Sequence, residues 1–481
     1  MQHDAATFSL TEVPSEGKSI ENWVVEQGRR FALYLLGEVI KELDERFLQS
    51  RPSEWISKGF EKRRIETAAG SLEFARRIYV NRFSGERIAP VDQYLGWDKN
   101  AKVSPEVRAI CAELTPIMSF RDVSRVLDRL RGIEISAEAA HQATQDYGSM
   151  RGEQVDSEIR EMYEDPKSAT GTKECTLFFE IDSMYARQQR SGKCSIEMKL
   201  GVVHEGWVLE NPIKKRYRLK NKRVVIDSRD GEHLWDRLSA SLCKEYDLSK
   251  CKIVINGDGA EWIRKGVKHF PNAEFQLDRF HWLRFLRRAV GNDVKALKVL
   301  RRHLENEDWD AIGKMVNELL ERYPDREEAI LGFWNYVSNH KGEIQDYRKR
   351  IAVELEIVRG LGAAESNVDT VLVSRFKRHR RSWSRSGAQN LGNLVELKHN
   401  EQLSEWIRQY RDARQGLVQE AQNKATKNKQ TNKASSIAFS HWAKASVPYL
   451  SASIRPATYA LRGLLNGNIL WAVSSLPPRS A

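Results

Sequence analysis

Cysteine is scarce in this chain, with 5 in 481 residues. Cys111, Cys175, Cys194, Cys243 and Cys251 form no C-x-x-C pair, and no Cys/His cluster has zinc spacing. That excludes a zinc ribbon or finger, and the odd, scattered set fits reduced thiols in a cytosolic protein. Long apolar runs are also missing. No window approaches the roughly 18 uninterrupted apolar residues of a membrane span. The opening stretch "MQHDAATFSLTEVPSEGKSIENW" lacks a basic region followed by an apolar one, so no secretory signal is expected. These absences predict a cytoplasmic location and no membrane partner.

What the chain does have is positive charge. Lys+Arg number 78 against 66 Asp+Glu, a formal net charge of +12, and 41% of residues are hydrophobic. The length suggests about three domains with cores of their own. A basic balance points to a polyanion such as nucleic acid, or simply to solubility.

The patterning divides the chain into six segments. Residues 1–58 read as a helical region, with Leu36, Val39, Ile40, Leu43 and Phe47 at helical spacing. Residues 59–170 hold a strand or hairpin, "SLEFARRIYV", and then helices. Ser104-Pro105-Glu106 is a helix start, and Ser119 and Asp122 have capping-box spacing before the stripe Phe120, Val123, Leu127 and Leu130. Gly132 breaks that pattern, and Ser136 opens a second short helix, "SAEAAHQATQDYG". The pair is either a helix-turn-helix presenting His141, Gln142, Thr144 and Gln145 to a DNA groove, or an ordinary helical hairpin.

Residues 171–285 are strand-rich. "CTLFFEIDSMY", "CSIEMKLGVVHEGWVL" and "KRVVID" read as successive strands, followed by a helix near 232–246, then "CKIVING" and "AEFQLDRFHW" as a fourth and fifth strand. This order implies an α/β domain with a mixed sheet. Residues 286–358 are predicted all-helical, as an insertion. Residues 359–415 return to the α/β body, and 416–481 form a lysine-rich linker and tail ending in the apolar stretch "ATYALRGLLNGNILWAV".

Three carboxylates stand out. Asp258 lies between Gly257 and Gly259 at the carboxyl end of an apolar strand, where open α/β sheets gather chemistry. It is either a turn residue or a ligand on a backbone that lets a partner come close. Asp182 interrupts the first strand, where an ionised acid is costly unless paired or metal-bound. Alternation puts Glu180 on the same strand face, which makes it a further candidate ligand. A third acid, Glu365, follows the small residues Gly362-Ala363-Ala364. Three such acids make an oxygen site for Mg²⁺, and two ions about 3.5–4 Å apart serve phosphoryl transfer. The helix starting at Glu365 is expected to continue into Arg375, Lys377, Arg378, Arg380 and Arg381, which suit a polyanion or form a solvated face. Trp383 and Trp282 either stack on a base or pack in a core.

At this point the blocks are recognisable. "INGDGAEWIRKGVKHFPNAEFQLDRFHW" resembles the second-aspartate block of ISLre-type insertion-sequence transposases, also catalogued as an uncharacterised protein family. "SLEFARRIYVNRFSGERIAPVDQYLGW", "MSFRDVSRVL", "ISAEAAHQATQDYG", "FFEIDSMYARQQR", "EMKLGVVHEGW", "LKNKRVV" and "AESNVDTVLVSRFKRHRRSWSRSGAQNL" are similar to other family blocks in the family order, over roughly residues 20 to 400.

The resemblance implies an RNase H-like core with an all-α insertion, preceded by a mainly helical DNA-binding region. It implies Asp182, Asp258 and Glu365 as a catalytic triad holding two Mg²⁺ or Mn²⁺ ions. The triad gaps are 258 − 182 = 76 and 365 − 258 = 107 positions, the second leaving room for the insertion. Asp278-x-x-His281 is similar to an element of related mutator-type transposases, which makes these two residues auxiliary or structural. Trp383 carries over as a strand or base contact. Ser183 departs from the glycine often found after the first aspartate.

The function so implied is a DNA transposase. It would bind terminal inverted repeats and target DNA through Gln142, Gln145 and the basic run, working as a homodimer or higher. It would hydrolyse a phosphodiester with metal-activated water, and the freed 3′-OH would attack target DNA. The alternatives are a domesticated nuclease on the same core or a catalytically silent DNA-binding protein.

Overall fold

The computed structural model describes residues 19–165, 169–191, 194–352 and 355–411, so the lysine-rich stretch and the final apolar stretch lie outside the described residues. The chain divides into two compact units. Among the described residues the first takes 19–114, 119–143 and 407–411, and the second takes 115–118 and 144–406.

The first unit begins with α1 (Ile20–Ser50), capped by Ser19, whose Oγ accepts from the Asn22 N–H at 3.3 Å. Val39, Ile40, Leu43 and Phe47 form the buried stripe, as their spacing predicts, and pack with Ile65, Leu72, Phe74 and Trp97. Three of those partners come from the antiparallel hairpin of β1 (Trp55–Thr67) and β2 (Gly70–Asn81). The hairpin starts at Trp55, ahead of the boundary expected at residue 59. Its arginines answer to buried acids. Arg63 and Arg76 converge on Asp92 Oδ2 at 2.6 and 3.0 Å, and Arg77 pairs with Asp44 at 2.7 Å. A short β3 (Arg87–Ile88) adds to β2.

The helices α2 (Pro90–Tyr94), α3 (Pro105–Leu114) and α4 (Phe120–Arg131) follow. Ser119 caps α4 as expected, accepting from the Asp122 N–H at 3.1 Å. The next helix, α5 (Ala137–Glu164), is 28 residues long rather than short. Gly148, the last residue of the stretch expected as a short helix, lies inside it.

The second unit is mixed α/β around a mixed sheet. Its strands are β4 (Thr176–Gln188), β5 (Ser195–His204), β8 (Arg223–Asp227), β9 (Lys252–Gly257) and β10 (Ala273–Leu277), in the order β10-β9-β4-β5-β8. β4 pairs in parallel with β9, β9 in parallel with β10, and β5 runs antiparallel to both β4 and β8. The strand expected over "CSIEMKLGVVHEGWVL" breaks at Glu205-Gly206. Its end becomes β6 (Trp207–Asn211), hairpinned to β7 (Arg216–Leu219), which the sequence did not suggest.

Both faces of the central strands are buried, which is why they read as continuous apolar runs. Leu177, Phe179, Ile181, Ile253 and Ile255 join one core with Leu234, Trp235 and Leu238 of α6 (Gly231–Leu242). Phe178 and Val254 pack on the other face with Tyr347.

After β9 come α7 (Glu261–Arg264) and β10, which is shorter than predicted because Asp278 caps α8 (Arg279–Val290). The expected helical insertion is present as α9 (Val294–Glu305), α10 (Trp309–Arg322), α11 (Glu327–Ser338) and α12 (Tyr347–Arg350), with Leu300, Ile312, Val316 and Phe333 in the sheet's core. α13 (Ala364–Asn367) then runs into a π-helical stretch, Val368–Lys377. A two-residue β11 (Ser382–Trp383) pairs with the end of β4, and α14 (Arg385–His399) follows. No helix among the described residues is long and apolar enough to cross a membrane.

Gly148 marks where α5 meets α14. The Asn393 side chain donates to the Gly148 carbonyl at 2.8 Å, and an added Cβ would run into the Asn390 backbone. Gly148→Ala is therefore expected to lower stability by about 1–3 kcal/mol through overpacking. Thermal unfolding checks this, and an unchanged melting temperature would contradict the close crossing.

Candidate functional site

The G-D-G turn has a steric cause. Gly259 has φ +89°, a conformation that L side chains rarely adopt, and a Cβ on Gly257 would press on Ile263 and the Ile181 carbonyl. The chain can thus turn sharply at the end of β9 and leave the Asp258 carboxylate half-buried at the sheet's edge. Asp258 Oδ1 accepts from the Ala260 N–H at 2.9 Å, and its carbonyl accepts from the Tyr336 hydroxyl of α11 at 2.7 Å.

Asp182 reaches the same place from β4. The parallel register pairs Glu180 with Asn256, so the chain two residues further on brings Asp182 alongside Asp258. Its Oδ1 accepts from the Ser183 N–H at 2.7 Å, and the Ser183 hydroxyl is spent on Glu197 at 2.9 Å. Burial is the main influence on Asp182. Together with the charges of Asp258 and Asp278 it pushes the carboxyl up to about 6, against the pull of the Ser183 hydrogen bond and His281.

His281 of α8 completes the group. One ligand atom from each of Asp182, Asp258 and His281 lies within 4.8 Å of the others. The ring is held from behind. Its Nδ1 is 3.0 Å from Asp278 Oδ2, which also accepts from the Phe280 N–H as the cap of α8. Asp278 Oδ1 accepts from the Asn256 amide at 2.9 Å. The Asp278 N–H in turn donates to the Gly257 carbonyl, fixing the start of α8 against the end of β9. Burial raises the Asp278 value, but its bonds from His281 and Asn256 outweigh that and leave it below the usual carboxylate range. Burial lowers that of His281, yet the bond to Asp278 and the surrounding acids leave it raised.

The donor set fits a divalent cation. It offers two carboxylates and one imidazole, one carboxylate being costly to ionise without a counter-charge. Asn256 is fully buried with its Oδ1 unpartnered.

Glu365 is not in this group. It is exposed in the first turn of α13. Its helix is nevertheless tied to β4 by Glu180, which is 1% exposed. Glu180 Oε2 accepts from the N–H groups of Gly362, Ala363 and Ala364 at 3.0, 2.6 and 3.1 Å, and Oε1 lies 3.3 Å from His204 Nε2. Glu180 is thus an anchor, not a candidate ligand.

The expected DNA contacts separate by burial. Arg375 is buried in the π-helical stretch, its Nε donating to the Thr115 carbonyl at 2.6 Å, and burial followed by the charge of Arg381 lowers its value to about 9. Trp383 is buried against Phe376 and donates to its carbonyl at 2.8 Å. Trp282 is likewise in the core. Gln145 accepts from Asn390 at 2.9 Å, and Thr144 is fully buried on Thr115. Arg375 and Thr144 are thus buried and Gln145 is half-buried, a correction to the expected outward set, while Trp383 and Trp282 take the core alternative. Arg381 is half-buried and donates to the Arg375 carbonyl at 2.7 Å, while Lys377, Arg378, Arg380 and Gln142 are exposed. The basic run is not one helix, since the π-helical stretch ends at Lys377.

Asn256, Tyr336 and the Glu180–His204 pair were not among the residues expected to build the site. The available signal was a polar Asn256 inside an otherwise apolar strand.

The fold and geometry define a mixed α/β protein with a candidate cation centre at adjacent strand ends. The chain belongs to the uncharacterised protein family UPF0236, whose model matches residues 12–409. It is similar to the UPF0236 protein in the vanSb 3′ region of Streptococcus gallolyticus, 25% identical over 404 residues, covering 81% of this chain and 83% of that one. It is also similar to two UPF0236 proteins of Caldanaerobacter subterraneus subsp. tengcongensis. One is TTE2489, 24% identical over 396 residues, 82% of this chain and 79% of that one. The other, whose name joins the loci from TTE0033 to TTE2212, is 24% identical over 82% of this chain and 78% of that one.

A raised Asp182 value in the folded state means that ionising this group opposes folding. The stability lost appears as pH rises from the ordinary carboxylate value through about 6. Asp182→Asn is expected to stabilise the metal-free protein at pH 7.5 by about 1–3 kcal/mol, at 1.36 kcal/mol per pKa unit, and to abolish stabilisation by added Mn²⁺. A variant less stable than wild type, or one still stabilised by Mn²⁺, would contradict the reading.

Proposed function

We propose that this protein is a DNA transposase of the ISLre kind, cleaving and joining DNA at an RNase H-like centre. The observation that carries the reading is the convergence of Asp182, from the central strand, with Asp258, from the end of the adjacent parallel strand. The strand order β8-β5-β4-β9-β10, with β5 alone antiparallel, supports an RNase H-like core. The helical insertion before Glu365 supports it too, reaching the site through Tyr336.

A second line of support comes from the relatives. The name of one Caldanaerobacter protein joins eleven locus designations, and another joins four. Recurrence of one protein at many loci of a genome is what a mobile element produces.

On this reading Asp182, Asp258 and Glu365 are the acids that hold two Mg²⁺ or Mn²⁺ ions. When bound, the ions activate the attacking oxygen and stabilise the leaving one in an in-line displacement at phosphorus. Asp182 and Asp258 present their carboxylates from rigid strand ends, so little reorganisation is needed at the scissile phosphate. Glu180 carries the Glu365 helix on β4, two residues from Asp182. Lys377, Arg378, Arg380 and Gln142 are the exposed groups proposed to contact double-stranded DNA, both terminal repeats and target. Holding two ends requires a homodimer or larger assembly.

The test is cleavage of labelled DNA bearing the element's own ends, with Mn²⁺, by wild type and Asp258→Asn. Wild type should cut at the element boundary. The variant should lose at least about a hundredfold in rate, because the ions supply several kcal/mol, and still bind DNA. Unchanged cleavage by the variant would remove Asp258 from the site. Specific binding with no cleavage by either protein would favour a silent DNA-binding protein.

A further inference from the structure

His281 is oriented more tightly than an auxiliary residue needs to be. Its Nδ1 is engaged by Asp278, Asp278 is engaged by Asn256, and Asn256 and Asp258 lie two residues apart at the end of β9. Asp278 is 4% exposed and Asn256 is fully buried, so this chain of contacts is shielded from water. With Nδ1 taken, the nitrogen left for a ligand is Nε2. A carboxylate behind an imidazole fixes the tautomer, aims the lone pair and raises ligand basicity, the usual support of a metal-bound histidine. Meanwhile Glu365 stands outside the group that His281 enters.

We infer that His281 is a direct metal ligand through Nε2, sharing one cation with Asp182 and Asp258, and that Asp278 and Asn256 are positioning residues that hold its ring. The inference rests on the reading of Asp182 and Asp258 as a cation centre. It adds a nitrogen donor to what would otherwise be an all-oxygen site. Nitrogen ligation favours Mn²⁺ and later transition ions over Mg²⁺, because imidazole is a softer donor than carboxylate. It also gives Glu365 a separate task at the second ion.

The experiment is electron-spin-echo spectroscopy of Mn²⁺ bound to the full-length protein, without DNA, prepared with natural-abundance and with ¹⁵N-histidine. Wild type should show a directly bound nitrogen whose signature changes with the isotope. His281→Gln should lose that signature and bind Mn²⁺ roughly 10–100-fold more weakly, and Asp278→Asn should weaken binding within the same range while the nitrogen signature persists. The preference for Mn²⁺ over Mg²⁺, measured by competition, should narrow in His281→Gln.

Asp182→Asn separates the two levels of the reading. If Mn²⁺ binding needs Asp182 but shows no histidine nitrogen, His281 is not a ligand and the cation centre stands. If Asp182→Asn binds Mn²⁺ as wild type does, or wild type binds none, the centre itself is overturned. A nitrogen signature that survives His281→Gln would also overturn the assignment, pointing to another ring, such as His340 beside Gly259.

Discussion

The parallel pairing of β4 with β9 is the constraint on which the candidate site depends. Its register sets Glu180 opposite Asn256, and everything polar in the region follows from that alignment. Two residues past this pair, the strands deliver Asp182 and Asp258 to one edge. At the pair itself, Glu180 reaches out to anchor the helix of Glu365, and Asn256 reaches out to Asp278 and so to His281. A shift of one residue would turn these side chains to the other face of the sheet, where Leu177, Phe179, Ile181, Ile253 and Ile255 pack.

The same alignment costs stability. Placing a carboxylate at the edge of an apolar sheet, near a second acid, holds Asp182 at about 6. The surroundings do not neutralise it with an arginine, as Asp92 and Asp44 are neutralised in the first unit. They offer the imidazole of His281 instead. A structural ion pair would have closed the account locally, whereas this arrangement leaves a charge for a ligand to complete.

Much of the fold was legible in the sequence because the central strands are buried on both faces and appear as unbroken apolar runs. The α1 stripe, the Ser119 cap and the helical insertion were legible for equally local reasons. What failed were boundaries set by tertiary contacts. The helix expected over "SAEAAHQATQDYG" runs on past Gly148, a crossing point with α14, and "AEFQLDRFHW" looked like one strand although Asp278 caps a helix that interrupts it. Asp182 and Asp258 were legible because acids in apolar runs demand a reason. The entry of His281 was not, since it depends on α8 starting against the end of β9. Arg375 was read as a surface group because a run of charges does not tell which members point inward, and a π-helical stretch blurs the usual periodicity.

The ends of β4 and β9 are proposed as a divalent-cation centre. Its most direct test is anomalous diffraction from crystals of the protein grown with Mn²⁺. A manganese peak in contact with the carboxylates of Asp182 and Asp258 is expected. Manganese bound only elsewhere, or none at this edge at saturating concentration, would contradict it.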